Sequence, residues 1–253
     1  MKRGVEGMKE GRFLDSYGHI LVHDCLGSYW TMNKPENRAR AAEGGTSPAA
    51  NEDAGAAEPY THALCSQHVC RELLWAYEHG HGREEERQNW ALELICFLRS
   101  LNSMRKEALG RGGKSFRRKT IDNFRDRFDE LVEEGLAANQ ATGELKGSAT
   151  LRKIRALLGR LSRRKDDFLR FLEDFDVPFT SNEAERDLRS HKGRMAISGC
   201  FRTFRGLAGH ANLSTVIKTL MKAGKSWLEA ADAAVNGRPV DCLPPRRDPE
   251  PEF

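Results

Sequence analysis

The sequence predicts an α/β chain that is mostly α. Two observations give the strands: short apolar, β-branched or aromatic runs at His19–Val22 and Tyr60–Leu64, each ending abruptly in polar residues. A third gives the helices: three long stretches between residues 89 and 175 carry apolar residues at helical spacing. The chain has 253 residues, 39% hydrophobic and 31% charged, enough for one large domain or two modest ones.

Taken in order, "GHILVHDCLGSYW" reads as a buried strand that terminates at Asp24 and turns at Gly27. The stretch Pro35–Pro59 is rich in Ala, Gly, Pro and charge. It has too little apolar surface to offset the entropy of ordering, so a disordered insertion is expected over 35–59. From Ser66, the apolar positions Val69, Leu73, Leu74 and Tyr77 predict a helix, broken by "HGHG". "WALELICFLRSL" is the next helix. "FRRKTIDNFRDRFDELVEEGLA" follows, with Ile121, Phe124, Phe128, Leu131 and Val132 on one stripe. "LRKIRALLGRLSRRKDDFLRFLEDF" repeats the pattern from Leu151 to Leu172, so the three form a small bundle. A proline-bearing loop at Val177–Phe179 leads into a helix carrying Glu185. "RMAISGCFRTFRG" reads as mixed β or loop. Two helices ended by Gly224 and Gly237 come next, and residues 238–253 read as a disordered tail.

No apolar run is long enough to span a bilayer, and the first residues lack the apolar block of a signal peptide. A cytoplasmic, bacterial, nucleoid-associated protein with no membrane partner is expected. Six irregularly spaced cysteines do not read as a disulfide framework. The net charge is only +4, but its distribution is uneven. Glu107 is the sole acid between Arg99 and Lys119, none occurs between Lys146 and Lys165, and Asp187 is alone between Arg186 and Arg205. Each stretch alone is an ordinary solvated helix face; three together point to a polyanion such as DNA.

The stretch "VPFTSNEAERDLR" holds two glutamates at a helix start. Thr180 and Glu183 have the spacing of a capping box, which leaves Glu185 spare. Glu185 has two readings, an ion pair one turn on with Arg189 or a metal ligand. Asp24 likewise reads as a polar strand end or as a ligand, since a carboxylate at the end of a buried strand is where nucleases hold divalent ions. Mg²⁺ or Mn²⁺ takes oxygen ligands, with one or two carboxylates and the rest water or phosphate. On the metal reading the two carboxylates converge to within roughly 4–8 Å, sharing ions about 3.5–4 Å apart. Cys65 and His68 form a C-x₂-H pair that reads either as a buried thiol with a hydrogen-bonded imidazole or as half of a zinc site.

In order, "HDCLGSYW", "HALCSQHVCREL", "VPFTSNEAERDLR" and "ISGCFRTFRG" resemble the insertion-sequence-66-like transposases of the DDE type. The resemblance runs from Lys2 to Gly237, interrupted at 35–59. It implies an RNase H-like core with a large helical insertion. Residues 1–34 and 60–82 would be part of the core, 83–176 the insertion, and 177–237 the catalytic helix with the C-terminal helices. It implies that Asp24 is the second acid of the triad and Glu185 the third, both binding metal and catalysing DNA phosphodiester cleavage and strand transfer. Cys65 and His68 match the family's C-x₂-H motif. Arg186, Arg189, Lys192 and Arg194 would face DNA, as would Arg152 and Arg155 of the insertion, with Arg163 and Arg164 beside them. Ser181 stands where the family's N-N-x-A-E-R pattern begins with Asn. The first triad aspartate normally lies upstream of the segment that is "MKRG" here, and Asp15 is not a substitute. The resemblance therefore reads the chain as the C-terminal part of a transposase, silent in nicking by itself and acting as a homo-oligomer or with a complementing N-terminal part. The rival expectation is a catalytically dead DNA-binding or interaction remnant.

Overall fold

The computed structural model describes residues 4–11, 14, 17–34, 60–80, 88–140, 148–197, 199 and 201–238. The expected disordered segment at 35–59 lies outside these, as do Asp15 and, apart from residue 238, the expected tail at 238–253. The chain divides into two compact units, Met1–Ser181 and Asn182–Phe253.

The first unit begins with α1 (Val5–Gly11), β1 (Ile20–His23) and α2 (Ser28–Met32), followed by β2 (Thr61–Leu64) and α3 (Ser66–His79). The strands pair in parallel, with Ile20 opposite Thr61 and His23 opposite Leu64. Parallel pairing places the carboxyl ends of both strands at one edge, and residues 24 and 65 follow directly from them. Tyr60, Leu14 and Met32 form a small apolar cluster under α1 and α2.

The helical stretch consists of α4 (Asn89–Gly110), α5 (Arg118–Ala138), α6 (Ala149–Arg163), α7 (Lys165–Leu169) and a 3₁₀ turn over Arg170–Leu172. The last predicted helix is thus interrupted: Arg164 leaves the helical region at φ −118°, ψ 22°. The apolar spacing does not register this break, because Leu161 and Phe168 are both buried on either side of it. Ala63 and Leu64 of β2 share one core with Leu94, Leu98, Phe128, Leu158 and Phe168 of the helices. Burial of each such side chain contributes about 1.5–3 kcal/mol. One buried polar set ties the start of α4 to the end of α5. Trp90 Nε1 donates to Gln88 Oε1 (2.5 Å), and Asn139 Nδ2 donates to the same oxygen (2.6 Å).

The second unit contains α8 (Asn182–Ile197), α9 (Phe204–Lys222) and α10 (Trp227–Val235). Leu220 packs with Ala230 and Ala233. Gly224 (φ +90°) and Gly237 (φ +69°) end α9 and α10 in the left-handed conformation, as expected. Residues 194–197 and 204–206, read as β or loop, are instead the last turn of α8 and the first turn of α9. A helix already propagating adds residues cheaply, so it runs to Ile197; Gly199, at φ +66°, lies just beyond.

The α5–α6 contact depends on a glycine. A Cβ at Gly135 would stand 2.6 Å from Leu158 Cδ2 and 2.9 Å from the Trp90 ring. Gly135→Ala should therefore destabilise the first unit by about 1–3 kcal/mol through overpacking, despite the better helix propensity of alanine. A urea midpoint at or above that of the wild type would contradict this packing.

Candidate active site at the carboxyl edge of the strand pair

β1 ends in a sharp turn. Cys25 adopts φ +68°, a left-handed conformation that is unusual for a residue with a Cβ. Its amide donates to His23 Nδ1 (3.2 Å). Asp24 is exposed at this turn, and its Oδ1 accepts from the Leu26 amide (3.2 Å). Its second oxygen makes no hydrogen bond among the described residues.

Beneath Asp24 lies a buried imidazole pair. The Cys25 amide donates to His23 Nδ1 (3.2 Å), and His23 Nε2 shares a hydrogen bond with His62 Nδ1 (2.9 Å). The Asn33 carboxamide lies 2.8 Å from His62 Nε2. Trp30 stacks on His62, with ring centroids 4.9 Å apart. Burial first, then the neighbouring His62, holds the His23 pKa down to about 4, against an opposing pull from Asp24. Burial, then Arg164 and Arg170, brings His62 to about 4. Both rings are neutral near pH 7.

β2 ends at Cys65, which leads into α3. The Cys65 amide donates to the His23 carbonyl (2.9 Å), extending the pairing of the strands by one bond. The Ser66 amide donates to the Phe179 carbonyl (3.0 Å), and the Ser181 amide donates to Cys65 Sγ (3.2 Å). Burial pushes the Cys65 thiol up, but hydrogen bonds from Ser181 and His68 outweigh it and leave the thiol below its ordinary range. Cys70, buried without such donors, is pushed up to about 11. The C-x₂-H pair thus sits within a hydrogen-bonded junction. Among the described residues no group of three or more His, Cys, Asp or Glu is placed to hold a metal ion.

The structure therefore brings together the Asp24 turn, the Cys65–His68 junction and the 177–181 loop at one edge of the strand pair. The bond from Ser181 to Cys65 has no sequence signature, because a backbone amide donor leaves no mark in the residue pattern. Nucleotide and metal sites in parallel sheets lie outside the carboxyl ends of the strands.

Glu185 belongs to the second unit. Here α8 starts at Asn182, so Ser181, not Thr180, immediately precedes the helix, and the expected Thr180–Glu183 box is out of register. Glu183 instead meets Lys222 Nζ at 3.1 Å. Asp187, one turn on, meets the same Nζ at 2.8 Å and lies 3.7 Å from Lys218 Nζ. The bond to Lys222 holds the Asp187 carboxyl below its ordinary range. Glu183 and Asp187 thus share the face turned to α9. Glu185 lies two residues from each, about half a turn round the helix, on the opposite face. Arg186, Arg189 and Lys192 are exposed, and the Arg194 side chain lies outside the described set.

On the insertion, Arg152 is exposed and makes no ion pair among the described residues. Arg155 is exposed, with one nitrogen donating to the Asn139 carbonyl (2.8 Å). Arg164 is less available than expected: its guanidinium lies 4.5 Å above Trp30 and 3.8 Å from Asp167. Asp166 and Glu173 pair with Arg125, at 3.1 and 2.8 Å, and leave the α6 arginines to other partners or to solvent.

The model of the Transposase IS66 family matches residues 3–208, and the chain belongs to that family. A curated relative from Sinorhizobium fredii (strain NBRC 101917 / NGR234), printed as "Uncharacterized protein y4jO", is 41% identical over 71 residues. Those residues are 28% of this chain and 22% of the relative, so the match spans about a fifth of the relative's length. No solved structure matches. No helix among the described residues is long and apolar enough to cross a membrane.

The neutral imidazole pair carries a pH signature. Both histidines have folded pKa values near 4, below their ordinary 6.5. The unfolded chain therefore binds more protons between these values. Stability should be full above about pH 6.5, decline as pH falls and level off below about 4, at up to about 1.4 kcal/mol per unit for each ring. The portion between pH 6.5 and 5 lies above the ordinary carboxylate range. Urea unfolding across that interval checks it, and a flat profile there would contradict a neutral pair.

Proposed function

We propose that this chain carries the catalytic carboxylates Asp24 and Glu185 of a DNA transposase, which cleaves phosphodiesters and joins strands through Mg²⁺ or Mn²⁺. The observation that carries this reading is the convergence at the strand edge. The Asp24 turn and the loop that leads into the Glu185 helix meet at one junction, fastened through Cys65. On this reading β1 and β2 are neighbouring strands of an RNase H-like core and α4–α7 are its helical insertion.

The donor set fits a hard divalent cation. Asp24 has an oxygen uncommitted among the described residues, and such an ion completes its shell with water and phosphate. Glu185 faces away from the lysines that occupy Glu183 and Asp187. Asp24 and Glu185 would hold the metal, which when bound favours the deprotonated attacking oxygen and stabilises the leaving one. The protein's own work is positional. The Cys25 turn and the Leu26 amide fix Asp24, the Cys65 junction fixes the chain entering α8, and Arg186, Arg189, Lys192 and Arg194 meet DNA phosphates. Arg152 and Arg155 extend that contact from α6.

Mn²⁺ titration followed by the paramagnetic resonance of the free ion tests the reading. Asp24→Asn and Glu185→Gln should each weaken binding by about tenfold or more, equivalent to about 1.4 kcal/mol. Glu183→Gln, whose carboxylate belongs to Lys222, should leave binding unchanged. Mn²⁺ affinity indifferent to both Asp24→Asn and Glu185→Gln would contradict the assignment and favour a DNA-binding role without catalysis.

A further inference from the structure

The basic stretch from Arg99 to Lys119 has no part in the site described above, and the fold gives it a definite shape. It ends in the turn between α4 and α5. The α4 helix closes with the Gly112 amide donating to the Leu109 carbonyl (2.9 Å) and the Gly113 amide to Ala108 (2.9 Å). Gly112, at φ +83°, makes the reversal possible. The turn is then clamped from below. The Phe116 amide donates to the Leu172 carbonyl (3.1 Å), and the Phe175 amide donates to the Lys114 carbonyl (2.8 Å). The Phe116 ring packs edge-on against Phe124 and Phe175, and the Arg105 guanidinium donates to the Phe175 carbonyl.

This clamped turn presents cations of two kinds. Arg111 and Arg118 are neutralised by Glu107 (2.6 Å) and Asp122 (3.2 Å) on their own helices. Lys106, Lys114, Arg117 and Lys119 are exposed, and none pairs with an acid among the described residues. Three of these four lie at the amino end of α5, where the first-turn amides and the helix dipole add positive potential. Between residues 110 and 119 the one large apolar side chain, Phe116, is turned inward on Phe124 and Phe175. The turn itself therefore presents charge rather than apolar surface, although Leu109 just before it is exposed. Phosphate recognition needs only what it has, fixed charge and backbone donors.

We propose that the α4–α5 turn is a second DNA-contact site, in which Lys114, Arg117 and Lys119 bind the phosphate backbone of duplex DNA. Because the turn is already ordered by its bonds to Leu172 and Phe175, binding carries little ordering cost. The same segment, 172–175, runs straight into the 177–181 loop at the strand edge. The inference shares with the proposed function only its partner, DNA, and does not depend on metal chemistry.

The test is anisotropy of a fluorescein-labelled 30-bp duplex of arbitrary sequence, titrated with the full chain over a salt series. Each lost phosphate contact lowers the slope of log K against log salt by about 0.9. Lys114→Gln with Arg117→Gln should lower it by about 1.8. The charge-matched pair Arg127→Gln with Lys165→Gln removes cations that are already paired with carboxylates and should leave it unchanged. Lys114→Arg with Arg117→Lys, which keeps both charges, should retain the wild-type slope, and thermal melting of each variant verifies the fold. An unchanged slope for the first pair, or an equal fall for both neutralising pairs, would overturn the turn as a site while leaving the carboxylate assignment intact. Failure of the wild type to bind duplex DNA would overturn the turn as a site and leave the carboxylates to the Mn²⁺ titration.

Discussion

The first unit depends on one junction, where the Ser181 amide reaches the sulfur of Cys65 across 116 positions of sequence. Around it the Cys65 amide extends the strand pairing to His23, and the Ser66 amide takes the Phe179 carbonyl. A parallel pair of short strands has little stability by itself. Here the bonds at its carboxyl edge fasten both strands, the start of α3 and the last loop of the unit to one another. Whatever chemistry Asp24 performs, its position relative to the chain entering α8 is set by these three bonds. Cys65 suits this role because a small, buried sulfur needs few partners and can take the Ser181 amide as a weak acceptor.

The helical stretch is not merely appended to the strands. Phe168 and Leu169 of α7 lie in the same core as Ala63 and Leu64 of β2, and Arg170 Nε donates to the His62 carbonyl (2.6 Å). The break at Arg164 makes this possible: it turns the chain so that α7 covers β2 while α6 keeps its stripe on α5. The Arg164 guanidinium, over the Trp30 ring, is part of the same arrangement. A residue expected to serve DNA thus belongs first to the packing beside the imidazole pair.

Much of this was legible in the residue pattern, and the failures have physical causes. The strand ending at Asp24 was visible because an apolar run stops at a charged residue. The paired glycines closing α9 and α10 were visible because left-handed caps select glycine. The break at Arg164 was hidden because Leu161 and Phe168 keep the apolar period across it. The last turn of α8 was misread because β-branched Ile197 stands close to Gly199, while propagation carries the helix to Ile197 all the same. Thr180 and Ser181 are both good capping residues in succession, so the sequence left the helix start ambiguous by one position. From either start Glu183 falls in the first turn, and its carboxylate goes to Lys222 rather than to a cap. Only the ion pairs of Glu183 and Asp187 with Lys222 show that Glu185 lies on the other face.

The central proposal is that Asp24 and Glu185 hold one metal ion. Replacing Mg²⁺ with Fe²⁺ and adding ascorbate and peroxide cuts a protein backbone close to the bound ion. The account predicts two cuts in the same sample, one near residue 24 and one near residue 185. Excess Mg²⁺ should suppress both, and the single substitution Asp24→Asn should abolish both. A cut at only one of the two positions, or a cut near residue 185 that survives Asp24→Asn, would contradict it.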